Sequence, residues 1–259
     1  MKKFLKTILV SITLALLGGC SFIGGNKEER MAKYNDIRAT FVTTQGEISF
    51  YLYPEAAPIT VTNFVNLALR GYYDNTIFHR AVENFIVQGG DPTGTGKGTP
   101  GYKIKDEFVE WLDFYQTGML AMANIGPNTG GGQFFITLYP ADFLNQKHTV
   151  FGEVISRIDG ERIKKLEKGD VIKTIKITGH ADLLLAMNAD QVKEWNQKLD
   201  KKYPKLKKYP LKPLSEFGPE VKEYKKELER IYTPKQKKEE DKEYIVPKII
   251  RAVENKLKD

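Results

Sequence analysis

Cysteine is nearly absent. Cys20 is the only one in 259 residues, which excludes an internal disulfide framework, a cysteine-based zinc site or a cysteine dyad within the chain. Three histidines, His79, His148 and His180, are too few and too scattered to suggest a histidine-rich metal site. No residue pattern argues for a metal or a cofactor. The N-terminal apolar run, Ile8 to Leu17, falls short of the roughly 20 residues that a transmembrane helix needs. Net charge is missing from most of the chain as well. From Lys193 to Asp259 there are 20 Lys+Arg against 13 Asp+Glu, while the signs balance before it, so the formal +7 belongs to the tail. What remains, 41% hydrophobic residues, supports one well-cored domain with an appendage.

The first residues read as an address. Lys2, Lys3 and Lys6 precede the apolar run, which ends in Leu17-Gly18-Gly19-Cys20. That ending resembles the lipobox of bacterial lipoproteins, whose signal is cut before a cysteine that carries diacylglycerol. The expectation is a signal over residues 1–19, lipidation at Cys20, and a tether over 20–36. The location this implies is extracytoplasmic, anchored to a bacterial membrane.

The body opens with strand signals. Arg38–Thr44 and Glu47–Tyr53 are β-branched and aromatic, flank Gln45-Gly46, and read as a hairpin. Ile59–Arg70 spaces its apolar residues for a helix, and Gly71 offers a C-cap. Short strand-like runs follow at Thr76–Arg80, Phe85–Gln88, Met119–Asn124, Gln133–Leu138, His148–Val154 and Val171–Thr178. A second helix is expected within Arg157–Lys168. Many short strands with two helices point to a mainly β architecture, an antiparallel sheet or barrel with covered ends. After Gly179 the chain becomes dense in Lys and Glu and is interrupted by six prolines. Residues 180–259 therefore read as a charged C-terminal extension, partly helical around Asp190–Lys202 and partly ordered.

Three stretches carry a more specific signal. They are Phe78-His79-Arg80 with Asn84–Asp91 (NFIVQGGD), then Met122–Ile136 (MANIGPNTGGGQFFI), then Phe143–Gly152 (FLNQKHTVFG). In this order they resemble the cyclophilin family of peptidyl-prolyl isomerases, across Ile37 to about Gly179. The resemblance implies a closed eight-stranded antiparallel β-barrel capped by two α-helices, with a substrate groove on its outer face. It implies a catalytic role for Arg80, assisted by Gln88. It implies proline-pocket walls at Phe85, Ile86, Phe135 and Leu144, and a substrate-holding amide at Gln133. Ala123 and Asn124 match the edge that binds substrate backbone, and Phe143 and His148 match the rim. His79 reads as structural.

Three departures from the family pattern stand out. Phe143 occupies a position where tryptophan is common, which implies weakened cyclosporin binding with activity kept. Ile86 replaces a commoner methionine, and Gly132 a commoner serine.

Competing motifs fail. Gly96–Gly101 (GKGTPG) matches the letters of a dinucleotide fingerprint, but Pro100 sits inside it and no amphipathic helix follows. A phosphate-binding loop would need Ser or Thr after Lys97, where Gly98 stands. This run is expected to be a surface loop beside the groove. Lys201–Lys212 is basic but sits in a tail that also carries acids, such as Asp200 and Glu216 on either side, and reads as a solvated face rather than a nucleic-acid site.

The implied partners are proline-containing segments of exported proteins, with anionic lipid or wall polymer as a further partner for the basic tail. A monomer is expected. The rival reading is a non-catalytic module, a holdase or adhesin that holds proline segments on the same scaffold.

Overall fold

The computed structural model describes residues 37–223 and Lys226. Cys20, the expected signal and tether, and most of the tail beyond Glu223 lie outside the described residues.

Nine strands form one antiparallel sheet. They are β1 (Arg38–Thr43), β2 (Gly46–Leu52), β3 (Thr76–Ile77), β4 (Arg80–Val82), β5 (Ile86–Gly89), β6 (Met119–Met122), β7 (Phe134–Thr137), β8 (Val150–Val154) and β9 (Val171–Thr178). Their order is β3-β9-β1-β2-β8-β6-β7-β5-β4. Helix α1 (Pro58–Leu69) lies against one face, with α2 (Arg157–Ile163), α3 (Ala181–Met187) and α4 (Ala189–Lys202) after it in the chain.

The expected closed eight-stranded barrel is not what forms. The sheet is an open, curled half-barrel whose two edges are β3 and β4. The reason lies in the run Thr76–Arg80, which the residue pattern presents as one strand. Its first half pairs with β9 (Thr76 opposite Ile172) and its second half with β5 (Arg80 opposite Gln88). The chain crosses the seam at Phe78 and His79, where Phe78 leaves the ladder and donates its N–H to the Asp170 carbonyl at 2.9 Å. One isolated bridge, Ile77 to Asp91, links the two sides.

The β1–β2 hairpin forms where expected. Thr43 Oγ1 accepts from the Gln45 N–H and donates to the Gly46 carbonyl, and Gly46 takes φ +103°, a conformation that favours glycine. Alternate residues Ala39, Phe41, Ile48, Phe50 and Leu52 point to the main core. There the Phe64 ring of α1 meets Phe41, Phe134 and Phe151 at 6.0, 5.8 and 5.1 Å between centroids. Helix α1 opens on Pro58, whose missing N–H is no loss in a first turn. Its next two N–H groups, of Ile59 and Thr60, donate to the Glu107 carboxylate at 3.1 and 2.8 Å. A residue 47 positions away thus serves as the helix cap.

The far side of α1 is the surprise. Thr62, Asn63, Asn66 and Arg70 are polar and would face water on a free surface helix, yet all are buried. Asn63 bonds to the Gly131 carbonyl and the Tyr102 hydroxyl, and the segment after Gly179 covers the other three. Asn188 donates to Thr62, Asn66 to Asn196, and Tyr209 to Asn66 at 3.1, 3.1 and 2.7 Å. Arg70, 2% exposed, donates to Asn196 at 2.6 Å and pairs with Asp200. Val192, Trp195 and Leu199 of α4 join the main core, and Trp195 stacks on Tyr102 at 5.3 Å and 10°. The first part of the extension packs on α1 and the main core. Leu183, Leu184 and Leu185 of α3 supply apolar packing, whereas the apolar stripe of α4 is narrow and its bonds to Asn66 and Arg70 are polar on both sides.

Candidate active site

Period-two alternation divides the central strands between two apolar clusters. In β5, β6, β7 and β8, Val87, Leu120, Met122, Phe134, Ile136 and Phe151 point into the main core. Their neighbours Ile86, Met119, Ala121, Phe135 and Val150 point the other way into a second cluster, with Phe114 beneath them. Both faces of these strands are covered, so they read as unbroken apolar runs. Phe85, Ala123 and Leu144 pack at the margin of this outer cluster.

Register then draws the site. Arg80 lies opposite Gln88, Gln88 opposite Phe135, Phe135 opposite Ala121, and Ala121 opposite Val150. These five residues form one row across β4, β5, β7, β6 and β8. It runs from an exposed guanidinium to a buried apolar patch. Arg80 has only a long contact, 3.5 Å, from Nη1 to Gln88 Oε1, and no ion pair among the described residues. Its donors remain available to a ligand. Gln88 Nε2 donates to Gln133 Oε1 at 3.0 Å, and Gln133 Nε2 donates to the carbonyls of Gly96 and Gly98, both at 3.0 Å. The two amides are oriented by these bonds: each oxygen faces a donor and each nitrogen an acceptor.

The apolar end is framed by rings. Phe135 stacks on Phe114 at 5.7 Å, and His148 meets its edge at 5.2 Å and 90°. Phe143, 62% exposed, stacks on Phe85 at 5.5 Å. His148 Nδ1 lies 3.2 Å from the Met122 carbonyl, so that nitrogen carries the proton and the ring is held in one tautomer. Burial pushes the His148 pKa down, against the opposing pull of that carbonyl, and the ring is neutral at pH 7. At the rim the Asn124 side chain donates to the Lys147 carbonyl at 2.8 Å, while its backbone N–H and C=O have no partner among the described residues. The Ala123 N–H is already committed, to the Gln133 carbonyl at 3.0 Å. Of the two expected edge residues, Asn124 is thus the one whose amide is open to a peptide. The structure brings all eleven groove candidates to this one face and its rim.

One residue with a large part in the geometry had no assigned role in the sequence reading. Asp91 is fully buried, and its carboxylate accepts from the N–H groups of Thr93, Thr95 and Gly98 and from the Thr93 hydroxyl, at 2.7 to 3.1 Å. A Cβ at Gly98 would sit 1.7 Å from that carboxylate, so only glycine fits. Asp91 therefore folds the loop that presents the Gly96 and Gly98 carbonyls to Gln133. Burial alone would raise its pKa, but the donors from Gly98 and Thr93 outweigh it and hold the carboxyl below its ordinary 3.8. A depressed folded pKa contributes stability that is complete above 3.8 and is lost as pH falls through the lower, folded value. Asp91→Asn leaves at least one donor without its acceptor and is expected to cost about 1–3 kcal/mol at pH 7. The gap in melting temperature from wild type should narrow below pH 3.8; a gap unchanged from pH 7 to 3 would rule this role out.

His79, on the seam, lies beside the same loop, its ring 3.4 Å from where a Cβ on Gly96 would stand. Burial lowers its pKa and keeps it neutral.

This geometry has relatives. The family model for cyclophilin type peptidyl-prolyl cis-trans isomerases matches residues 38–181. The chain belongs to the cyclophilin family. Peptidyl-prolyl cis-trans isomerase-like 1 of Aspergillus fumigatus is 45% identical over 160 residues, 61% of this chain and 96% of the relative. Peptidyl-prolyl cis-trans isomerase A of Mycobacterium tuberculosis is 44% identical over 145 residues, 50% of this chain and 80% of the relative. Among solved structures, a cyclophilin type isomerase of Cryptosporidium parvum superposes with a TM-score of 0.52 at 36% identity, over 55% of this chain and 97% of that one. This cyclophilin is accordingly a peptidyl-prolyl cis-trans isomerase.

Its departure at Gly132 now has a physical account. A Cβ there would lie 2.8 Å from Tyr72 Cε1 and 2.9 Å from Tyr72 Oη, so the tyrosine ring fills the space a side chain would need. Tyr72, Asp91 and Phe114 are the shaping residues that pattern reasoning left without a role. The signal available for Asp91 was its place in the motif Gly89-Gly90-Asp91, followed by Thr93 and Thr95 at turn spacing. Phe114 and Tyr72 offered only their apolar type.

Proposed function

We propose that this cyclophilin catalyses isomerisation of X–Pro bonds at the row led by Arg80, on exported proteins at the outer face of a bacterial membrane. The observation that supports the catalytic reading is the juxtaposition of an unpaired guanidinium with an apolar pocket across a single sheet register.

Rotation of an amide is opposed by roughly 18–20 kcal/mol of resonance. Nothing need be broken, so no nucleophile is required. The ring of the substrate proline seats against Phe85, Ile86, Phe135 and Leu144, while the Asn124 backbone holds the flanking chain and Gln133 holds Gln88. As the carbonyl turns out of conjugation, the prolyl nitrogen becomes pyramidal and its lone pair, no longer delocalised into the carbonyl, is localised on it. An Arg80 N–H donates to that lone pair, and Gln88 holds the guanidinium in place. The bond is strong in the twisted state and weak in the planar one, which is the differential binding that accelerates a reaction. An acceleration on the order of 10⁶-fold requires about 8 kcal/mol, within reach of a charge-assisted bond combined with orientation and a dry pocket. The test is the cis-to-trans rate of a short X–Pro peptide without a coupling protease. Folded protein that gives no acceleration would sink the proposed chemistry.

The location rests on Leu17-Gly18-Gly19-Cys20 after a short apolar run, with Cys20 the sole cysteine. A diacylglycerol on Cys20 would be the anchor; no helix among the described residues is long and apolar enough to cross a membrane. The basic tail would then lie within reach of anionic lipid or wall polymer. In a bacterial host, Cys20→Ser is expected to move the protein from the membrane fraction to the soluble one. Equal partitioning of the two forms would remove the lipoprotein proposal.

A further inference from the structure

We infer that residues 195–203 of the extension are a positioning element for the active site, acting on Gln133 through two converging contacts. This rests on the groove proposed above and adds to it a part of the chain beyond the span, 38–181, that the family model matches.

The first contact is through the Gly-rich loop. Tyr203 Oη donates to the Thr99 carbonyl at 3.0 Å, and Lys202 Nζ donates to Thr99 Oγ1 at 2.9 Å. Trp195 stacks on Tyr102 three residues further on. The clamped segment follows directly on Gly98, whose carbonyl, with that of Gly96, receives Gln133 Nε2. Asp91 fixes this loop from inside the molecule, and Tyr203 and Lys202 fix it from outside.

The second contact is through a ring. Tyr203 meets Tyr72 edge to face at 5.4 Å and 88°. Tyr72 in turn occupies the space against Gly132, the residue before Gln133. One side chain of the extension thus bears on the Gln133 amide from the carbonyls it donates to and from the backbone that carries it. Gln133 passes that placement to Gln88, and Gln88 to Arg80.

A fixed amide chain matters because catalysis depends on where Arg80's donors sit. Displacement by about 1 Å can cost as much as 10²-fold in rate. A loop carbonyl free to drift releases Gln133 and then Gln88. The loss should appear in kcat, since the apolar pocket that binds the proline ring is untouched.

The test uses the full chain carrying Tyr203→Phe and Lys202→Met together. Both substitutions keep the ring and the aliphatic stem; they remove the bonds to Thr99 and the Lys202 ammonium's contact with the Tyr203 ring, all at the surface, so the fold is retained. We expect kcat to fall about tenfold with KM within twofold of wild type. The decisive arm repeats the pair in a Gln133→Ala background, where the strap has no amide left to place and should cost nothing further. Rates equal to wild type would overturn the inference. So would an equal loss in both backgrounds, which would mean that the extension acts on activity by some route other than Gln133. A wild-type protein without isomerase activity would be a different failure, that of the proposed chemistry itself.

Discussion

Replacing Arg80 by alanine is expected to lower kcat/KM for an X–Pro peptide by about 10³-fold, on the order of 4 kcal/mol of transition-state stabilisation. The melting temperature should stay within the effect of an ordinary surface substitution, about 0.5 kcal/mol. Two observations separate activity from stability here. Arg80 is exposed on an edge strand, and its only polar side-chain contact among the described residues is the 3.5 Å approach to Gln88. Nothing in the fold depends on it. A donor directed at nitrogen that becomes basic only when the amide twists should appear in kcat rather than in KM. Arg80→Lys keeps the charge but loses the planar fork that can serve both the prolyl nitrogen and Gln88 Oε1. It should recover only part of the rate, leaving a deficit of about 10- to 10²-fold. If Arg80→Ala turned over within threefold of wild type, the guanidinium would not be the donor. The row would then be a binding surface, as the holdase reading has it.

Legibility followed the kind of signal each element gives. The β1–β2 hairpin alternates along its length and Val171–Thr178 is rich in β-branched residues, and both form with bounds close to those the residues predict. Thr76–Arg80 alternates too, but periodicity says nothing about which neighbour a strand pairs with. That run serves both edges of the sheet, which is why eight expected strands became nine and a closed barrel became an open one. At the groove, roles for Arg80, Gln88, Gln133 and the pocket walls came from the resemblance of three motifs to the cyclophilin family. The connections between them were not visible, because they pass through backbone carbonyls of Gly96 and Gly98 and through a buried carboxylate, Asp91. A carbonyl has no letter of its own in a sequence. Phe134 and Phe135 make the same point: adjacent and identical in type, one belongs to the inner core and the other to the pocket.

The extension was the least legible part, and Trp195→Ala carries the largest expected effect on stability. Trp195 is 2% exposed, stacks on Tyr102 and belongs to the same core as Phe64 and Phe134. Removing it should cost about 3–5 kcal/mol, lowering the melting temperature by roughly 6–20 °C for a protein of this size. A solvated spacer would lose no more than about 0.5 kcal/mol, so the measurement distinguishes the two sharply. Its high charge made the segment look solvated, yet that charge is partly a partner for charge already inside. Arg70 is a buried guanidinium at the end of α1, and Asp200 and Asn196 of α4 are its polar partners. Taking α4 away would remove the Asn196 and Asp200 partners of Arg70 and the Asn196 acceptor of Asn66, polar groups placed where water is excluded. Helix α1 and the extension therefore require one another. A melting curve for Trp195→Ala that overlaid the wild type would mean that α4 is detached in solution, and the polar face of α1 would then be open to water.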